Sequence, residues 1–265
     1  YKNKSINVDV TDIASLESLR DSSILINLAA VHRDDIKPIS LYDEVNVQGA
    51  RNLCSVATNK NINKIIFLSS VAVYGDSKGN QKEDAPINYF NNYGRTKWEA
   101  EEVFRSWQKQ EKGRTLVIIR PTVIFGEGNR GNIYNLLKQI STKRYLMIGN
   151  GNNIKSICYV KNVAAFIDYS LNLGPGLHVY NYIDKPDFTM NELVQTAEEV
   201  LSIKKKFNLK LPKPLGLLIG MLLDILSFIT KRKFKISYIR IKKFISNSRF
   251  DSSIPSSTNF VPPEV

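Results

Sequence analysis

Two uninterrupted apolar runs constrain this chain more than anything else in it. Ile65-Ile-Phe-Leu68 and Leu116-Val-Ile-Ile119 place aliphatic and aromatic residues at consecutive positions with no polar residue alternating between them. A strand with one wet face alternates, whereas a strand without alternation is covered on both faces, as strands are inside a parallel sheet flanked by helices. Ile24-Leu-Ile-Asn-Leu-Ala-Ala30 reads as another short buried strand, and His178-Val-Tyr-Asn-Tyr182 as one returning to the same sheet. Helical stretches lie between them: about 41–58 with Val45, Leu53 and Val56 inward, then 98–110 and 163–171. The pattern predicts an α/β fold built on a doubly wound parallel sheet.

Such sheets collect ligands at the carboxyl ends of their strands. Ser69 and Ser70 stand at that end of the first run, and Tyr93-Gly-Arg-Thr-Lys97 opens the next helix. Residues four apart on a helix lie one turn apart on the same face, so the ammonium of Lys97 can sit near the phenol of Tyr93. A free tyrosine has a pKa of about 10, and a neighbouring cation together with a cationic cofactor ring favours the phenolate. Tyr93 is therefore expected to take a proton from a substrate hydroxyl. The spacing carries little by itself: Tyr-x-x-x-Lys occurs four times, at Tyr74/Lys78, Tyr93/Lys97, Tyr134/Lys138 and Tyr238/Lys242. Only Tyr93/Lys97 follows a strand-end serine pair and precedes an Arg-Pro strand end, so the other three are expected to be structural.

Ser69-Ser-Val-Ala-Val-Tyr-Gly75, Tyr93-x-x-x-Lys97 and Arg120-Pro-Thr-Val-Ile-Phe-Gly126, in that order, resemble the extended short-chain dehydrogenase/reductases, specifically the NAD-dependent epimerase/dehydratase group that works on nucleotide sugars. The resemblance covers nearly the whole chain. It implies a Rossmann-type sheet over 1–125 and 161–183, and a smaller α/β substrate lobe over 126–160 and 184–265. It implies NAD or NADP as cofactor, with NAD favoured, a nucleotide-sugar substrate and a homodimer. Ser70 would hydrogen-bond the reacting oxygen, Tyr93 would serve as acid/base, and Lys97 would hold the ribose.

Cofactor contacts are implied for Asp9, Val10, Leu28, Ala29, Ala30, Asn46, Ser69, Pro121 and Thr122, along with Tyr93 and Lys97. Asp9, ending a strand over 5–10, would face the adenine; the other interpretation is an Asx turn or a cap for a helix over 13–20, with Thr11 or Asp12 in that role. Asn46 would hold the catalytic geometry from below or serve as a core hydrogen-bond donor. Substrate contacts are implied for His32, Ser70, Arg130, Lys155 and Arg249; His32, Arg130 and Lys155 could equally be solvated. Many relatives carry asparagine where Val123 stands, which puts that usual diphosphate contact in doubt.

The positions after Ser70 separate the reactions. A 4,6-dehydratase needs an Asp-Glu pair there, and this chain has Val71 and Ala72. A 4-epimerase or 4-ketoreductase in surface-polysaccharide synthesis is the expected activity. A catalytically silent sugar-nucleotide-binding or regulatory protein and a hydroxysteroid-dehydrogenase-like enzyme are the alternatives. The Gly-rich turn that opens a dinucleotide domain does not occur before Asp9, and a fragment lacking the first strands is the favoured explanation.

Charge is concentrated. The net charge is +12, and residues 203–245 hold twelve Lys or Arg against one acid, Asp224. No nucleic-acid motif accompanies the cluster, so no nucleic-acid partner is expected. Within it, Pro214–Ile229 is nearly all apolar and slightly short of the roughly 20 residues a spanning helix needs. It is expected to be a buried helix of the second lobe or a peripheral membrane contact at a lipid interface held by anionic lipid. Cys54 and Cys158 sit in apolar settings and read as reduced thiols, and the two histidines are isolated, so no metal is expected. A cytoplasmic location follows, with the inner membrane face as the variant that 214–229 would add.

Overall fold

The computed structural model describes residues 6–19, 22–33, 36–75, 79–203, 210–231 and 237–264. The first half runs α1 (Ile13–Glu17), β1 (Ile24–Asn27), α2 (Ser40–Tyr42), α3 (Gly49–Asn59), β2 (Lys64–Leu68), α4 (Asn92–Lys109) and β3 (Thr115–Pro121). A π-helical turn, Asp43–Gln48, joins α2 to α3, and a 3₁₀ turn, Val71–Tyr74, follows β2. The second half runs β4 (Val123–Phe125), α5 (Asn132–Ser141), β5 (Met147–Ile148), β6 (Ile154–Tyr159), α6 (Val160–Ser170), β7 (Gly176–Tyr182), β8 (Asp184–Thr189), α7 (Met190–Val200), β9 (Lys210–Leu211), α8 (Lys213–Thr230), α9 (Tyr238–Ile245) and α10 (Ile254–Ser257).

The strands β1, β2, β3 and β7 pair in that order, all parallel. Because successive side chains point to opposite faces, Ile65, Phe67, Leu116 and Ile118 meet Leu53, Val56, Phe104 and Trp107 of α3 and α4. Ile66, Val117 and Ile119 turn the other way, onto Val163 and Phe166 of α6. Each such side chain contributes about 1.5–3 kcal/mol by leaving water, which is why neither face tolerates polar alternation. The register leaves Asn27, Leu68, Pro121 and Tyr182 at one end of the sheet, and the candidate residues follow these strand ends.

A second sheet, β4-β6-β8, mixes parallel and antiparallel pairing. Beside it α5 and α7 pack through Leu136, Ile140, Met190 and Val194. Thr189 and Glu192 form a reciprocal capping box at the start of α7, as Thr-x-x-Glu predicts.

Two expectations fail. The described part of 5–10 contains no strand: among the described residues nothing pairs with Ile6–Asp9, and Val10 enters a turn whose carbonyl accepts from the Asn52 amide at 2.9 Å. A strand is a property of its neighbours, and residues 6–10 have no neighbouring strand among the described residues. Residues 214–229 do form a helix, but of the two expectations for it the buried one fails, since only 11% of the residues of α8 are buried.

Candidate active site

The site begins where β2 ends. Ser70 has extended backbone and caps the 3₁₀ turn, its hydroxyl accepting from Ala72 N at 3.1 Å. Asn91 caps α4 in the same way, its Oδ1 accepting from Gly94 N at 2.8 Å, so the helix starts one residue before Tyr93. The two turns press together at Gly94. A Cβ there would lie 2.4 Å from the Ala72 carbonyl oxygen and 3.0 Å from Tyr89 Cβ. The missing side chain is what lets Tyr93 reach the Ser70 strand end.

Tyr93 is partly buried and Lys97 is 2% exposed. Burial pushes the Tyr93 phenol above its ordinary value, and the Ser70 hydroxyl beside it pulls partly back. The expected lowering by Lys97 is not found. The ammonium of Lys97 lies 4.3 Å from the centre of the Phe67 ring, with the Glu101 carboxylate one turn further on. Burial depresses its pKa to about 7, opposed by Glu101. Lys97 thus spends its charge on its own desolvation. Among the described residues none hydrogen-bonds its Nζ, which suits a group that waits for ligand hydroxyls.

Below this pair lies a network the sequence did not reveal. Ser69 is 2% exposed and its hydroxyl donates to Glu101 Oε1 at 2.6 Å, so it faces the interior and not a cofactor groove. Arg120 donates to both Glu101 oxygens, at 2.9 and 2.6 Å, and to Tyr74 Oη at 2.5 Å. Tyr74 donates in turn to Asn181 Oδ1 at 2.8 Å. Two signals were available. Ser69 is in phase with Ile65 and Phe67, which points it at α4, and an arginine within a buried strand end demands a carboxylate.

Asn46 sits in the π-helical turn, an irregularity found frequently at functional sites. Its Oδ1 accepts from Val31 N at 2.8 Å, and its Nδ2 donates to Val31 O at 3.0 Å and to Thr96 Oγ1 at 2.9 Å. It therefore ties the segment after β1 to the residue next to Lys97, as a core hydrogen-bonding residue. Leu28 and Ala29 are exposed and Ala30 half-buried beyond β1, forming an open wall. Pro121 and Thr122 are buried at the end of β3, with Thr122 N donating to Tyr182 O at 3.1 Å. A buried lysine whose ammonium has no hydrogen bond among the described residues, on the helix that Asn46 ties to the segment after β1, fits a dinucleotide.

The outlying candidates divide. Asp9 is exposed and accepts from Thr11 N at 2.9 Å and Thr11 Oγ1 at 2.8 Å, bonds that lower its pKa; this is the Asx turn, and Asp12 caps α1. His32 and Arg130 are exposed. Arg249 lies 3.6 Å from Asp187. Lys155 does not stand ready for a diphosphate, because its Nζ donates to the carbonyls of Lys243 and Ser246 at 2.9 and 2.7 Å. There it binds the end of α9, where carbonyls attract cations, and burial lowers its pKa to about 8. A groove of about 620 Å³ between α3 and α4, beside Arg51, Cys54, Trp98 and Glu102, includes none of the candidates.

Residues 2–182 match the family described as NAD dependent epimerase/dehydratase. The chain is 50% identical over 258 residues to the N-acetyl-alpha-D-glucosaminyl-diphospho-ditrans,octacis-undecaprenol 4-epimerase of Escherichia coli O157:H7, covering 96% of this chain and 78% of that one. It is 30% identical over 160 residues to the UDP-glucose 4-epimerase of Vibrio cholerae, covering 56% of this chain and 48% of that protein. Among solved structures, the UDP-glucuronic acid 4-epimerase from Bacillus cereus in complex with NAD superposes with a TM-score of 0.67 at 19% identity, over 89% of this chain and 79% of that one. MoeE5 in complex with UDP-glucose and NAD gives 0.67 at 19% identity, over 78% and 71%; at that identity the likeness shows the fold.

Proposed function

The chain belongs to the NAD dependent epimerase/dehydratase family, and from that premise we propose that it inverts C4 of an N-acetylhexosamine carried on a polyprenyl diphosphate. The observation that carries this is the joining of Ser70 and Tyr93 at one strand end by Gly94, with Lys97 a turn behind. NAD, when bound, takes the hydride from C4 and returns it. Ser70 holds the C4 oxygen by hydrogen bond, and Tyr93 removes its proton and gives it back. Lys97 binds the ribose hydroxyls through its ammonium. Val71 and Ala72 supply no acid to expel a neighbouring hydroxyl, so the 4-keto sugar turns over and is reduced on its other face. Arg249, Arg130 and His32 lie outside the chemistry and are proposed to meet the carrier or its diphosphate.

The lipid carrier is drawn from the Escherichia coli relative; a nucleotide carrier is the second interpretation, drawn from the Vibrio cholerae one. The half containing β1, β2, β3 and β7 is proposed to hold the cofactor and the remainder the carrier. A homodimer, and contact of residues 214–229 with the inner membrane face, are part of the same proposal. The test is conversion of N-acetylglucosaminyl-diphospho-polyprenol and of UDP-N-acetylglucosamine by the full-length protein with NAD, read as the sugar released on hydrolysis. Appearance of the galacto sugar from the lipid form supports the proposal. Its appearance only from the UDP form replaces the carrier, and near-full turnover by Tyr93→Phe overturns the chemistry.

A further inference from the structure

Helix α8 carries its small and polar residues on one line. Gly216, Gly220 and Asp224 recur every four residues, so they share a face, and that face is the one seated on the protein. A Cβ at 216 would lie 2.6 Å from Ile148 Cγ2, and one at 220 would lie 2.9 Å from the backbone of Tyr238. The Asp224 carboxylate accepts from Tyr238 N at 2.9 Å. The only acid of the region is thereby spent on α9. The opposite side is apolar and open to solvent: Leu215, Leu218, Ile219, Met221, Leu222, Ile225, Leu226, Phe228 and Ile229 are each at least 37% exposed.

We infer that α8 lies flat in the headgroup boundary of an anionic bilayer as an in-plane anchor, and does not cross it. Three observations commit the face to lipid and to this orientation. Helix α8 is about 27 Å long at 1.5 Å per residue, and its glycine line is occupied by β5, β9 and α9. Turning it upright would strip away both contacts. Its ends and neighbours are basic: Lys213 and Lys231 bound it, Arg240, Lys242 and Lys243 follow on α9, and 203–245 holds twelve cations against Asp224. Anionic headgroups attract such a cluster, and an amphipathic helix with basic flanks is a recognised form of interfacial anchor. A second copy of the chain docked on the same face would instead bring two such clusters together, at a repulsive cost.

The position also connects to the site. Lys243 on α9 lies 5.3 Å from the centre of the Phe90 ring, three residues before Tyr93, so the catalytic helix starts beside the element that rests on α8. An enzyme anchored this way meets a sugar whose diphosphate never leaves the membrane surface. The inference deepens the lipid-diphosphate proposal, but its test needs no sugar.

The full-length protein, with Cys54→Ala to remove the accessible thiol, would carry single cysteines replacing Leu215, Leu222 or Ile229, which lie seven apart on one line. Each would be labelled with an environment-sensitive fluorophore and mixed with vesicles of phosphatidylcholine alone or with phosphatidylglycerol. Expected are flotation only with the phosphatidylglycerol vesicles, lost in high salt, and equal quenching depth at all three positions. Leu218→Glu with Leu222→Glu should weaken vesicle binding by about a hundredfold, since each leucine is worth about a decade of affinity. A label at 222 markedly deeper than those at 215 and 229 would mean a spanning helix and overturn the inference. So would a protein that fails to float and whose labels are already shielded in a dimer. Flotation without turnover of the lipid-linked sugar would leave the anchor standing and remove the substrate.

Discussion

Arg120 meets Glu101 through two hydrogen bonds, Nε to Oε1 at 2.9 Å and Nη2 to Oε2 at 2.6 Å, where neither side chain is more than 2% exposed. The pair belongs to the wall behind Ser70, since Ser69 donates to the same carboxylate. Removing one partner of a buried pair strands the other charge. Arg120→Met should therefore cost about 3–5 kcal/mol, and Arg120→Met with Glu101→Leu should recover most of it. Urea unfolding midpoints with unchanged slopes check this; a double variant as unstable as the single one would contradict it.

Tyr93→Phe removes the proton carrier and keeps the ring. Turnover should fall by about 10²–10⁴ while the melting temperature and cofactor binding stay near those of the parent. Fluorescence titration with NADH separates the two effects.

Gly94→Ala opposes two forces of different size. Alanine is favoured over glycine in a helix by about 1 kcal/mol, but here its Cβ would lie 2.4 Å from a backbone oxygen, and overpacking costs about 1–3 kcal/mol. The clash should win. The first turn of α4 must then draw away from Ser70, so turnover should drop more steeply than stability, as parallel kinetic and melting measurements would show.

Lys97 supplies a pH test. Its folded pKa, about 7, lies below its ordinary value of 10.5 because of burial. Between these values the unfolded chain binds more protons than the folded one, so stability without cofactor should rise with pH from about 7 towards 10. Lys97→Met lacks this dependence. It should melt at a higher temperature than the parent at pH 6 to 7, with the difference shrinking as pH approaches 10, and saturating cofactor should shrink it as well. A constant gap across the range would show that the ammonium is not desolvated.

Much of this was written locally in the chain. The core of β3, Leu116–Ile119, is legible as a strand because burial on both faces erases alternation, and the capping box at Thr189 and Glu192 is a four-residue signal. Tyr93 and Lys97 were separable from three chance repeats by their setting. What stayed hidden depends on partners distant in sequence. Residues 6–10 have strand composition but no neighbouring strand among the described residues. Ser69 was grouped with Ser70 although strand alternation sends the two opposite ways. Lys155 looked like a free cation until α9 presented its carbonyls. The acidification of Tyr93 expected from Lys97 and a cationic cofactor ring leaves out what desolvation takes from the amine.

The π-helical turn Asp43–Gln48 makes the site sensitive to counting. A π turn is a helix with one residue too many for its hydrogen bonds, so deleting a single residue from 43–48 would let the helix close into regular α form. The later residues would rotate by about 100°, and the amide that joins Val31 to Thr96 would swing off its partners. The site therefore depends on the number of residues in this stretch as well as on the amide of Asn46 within it.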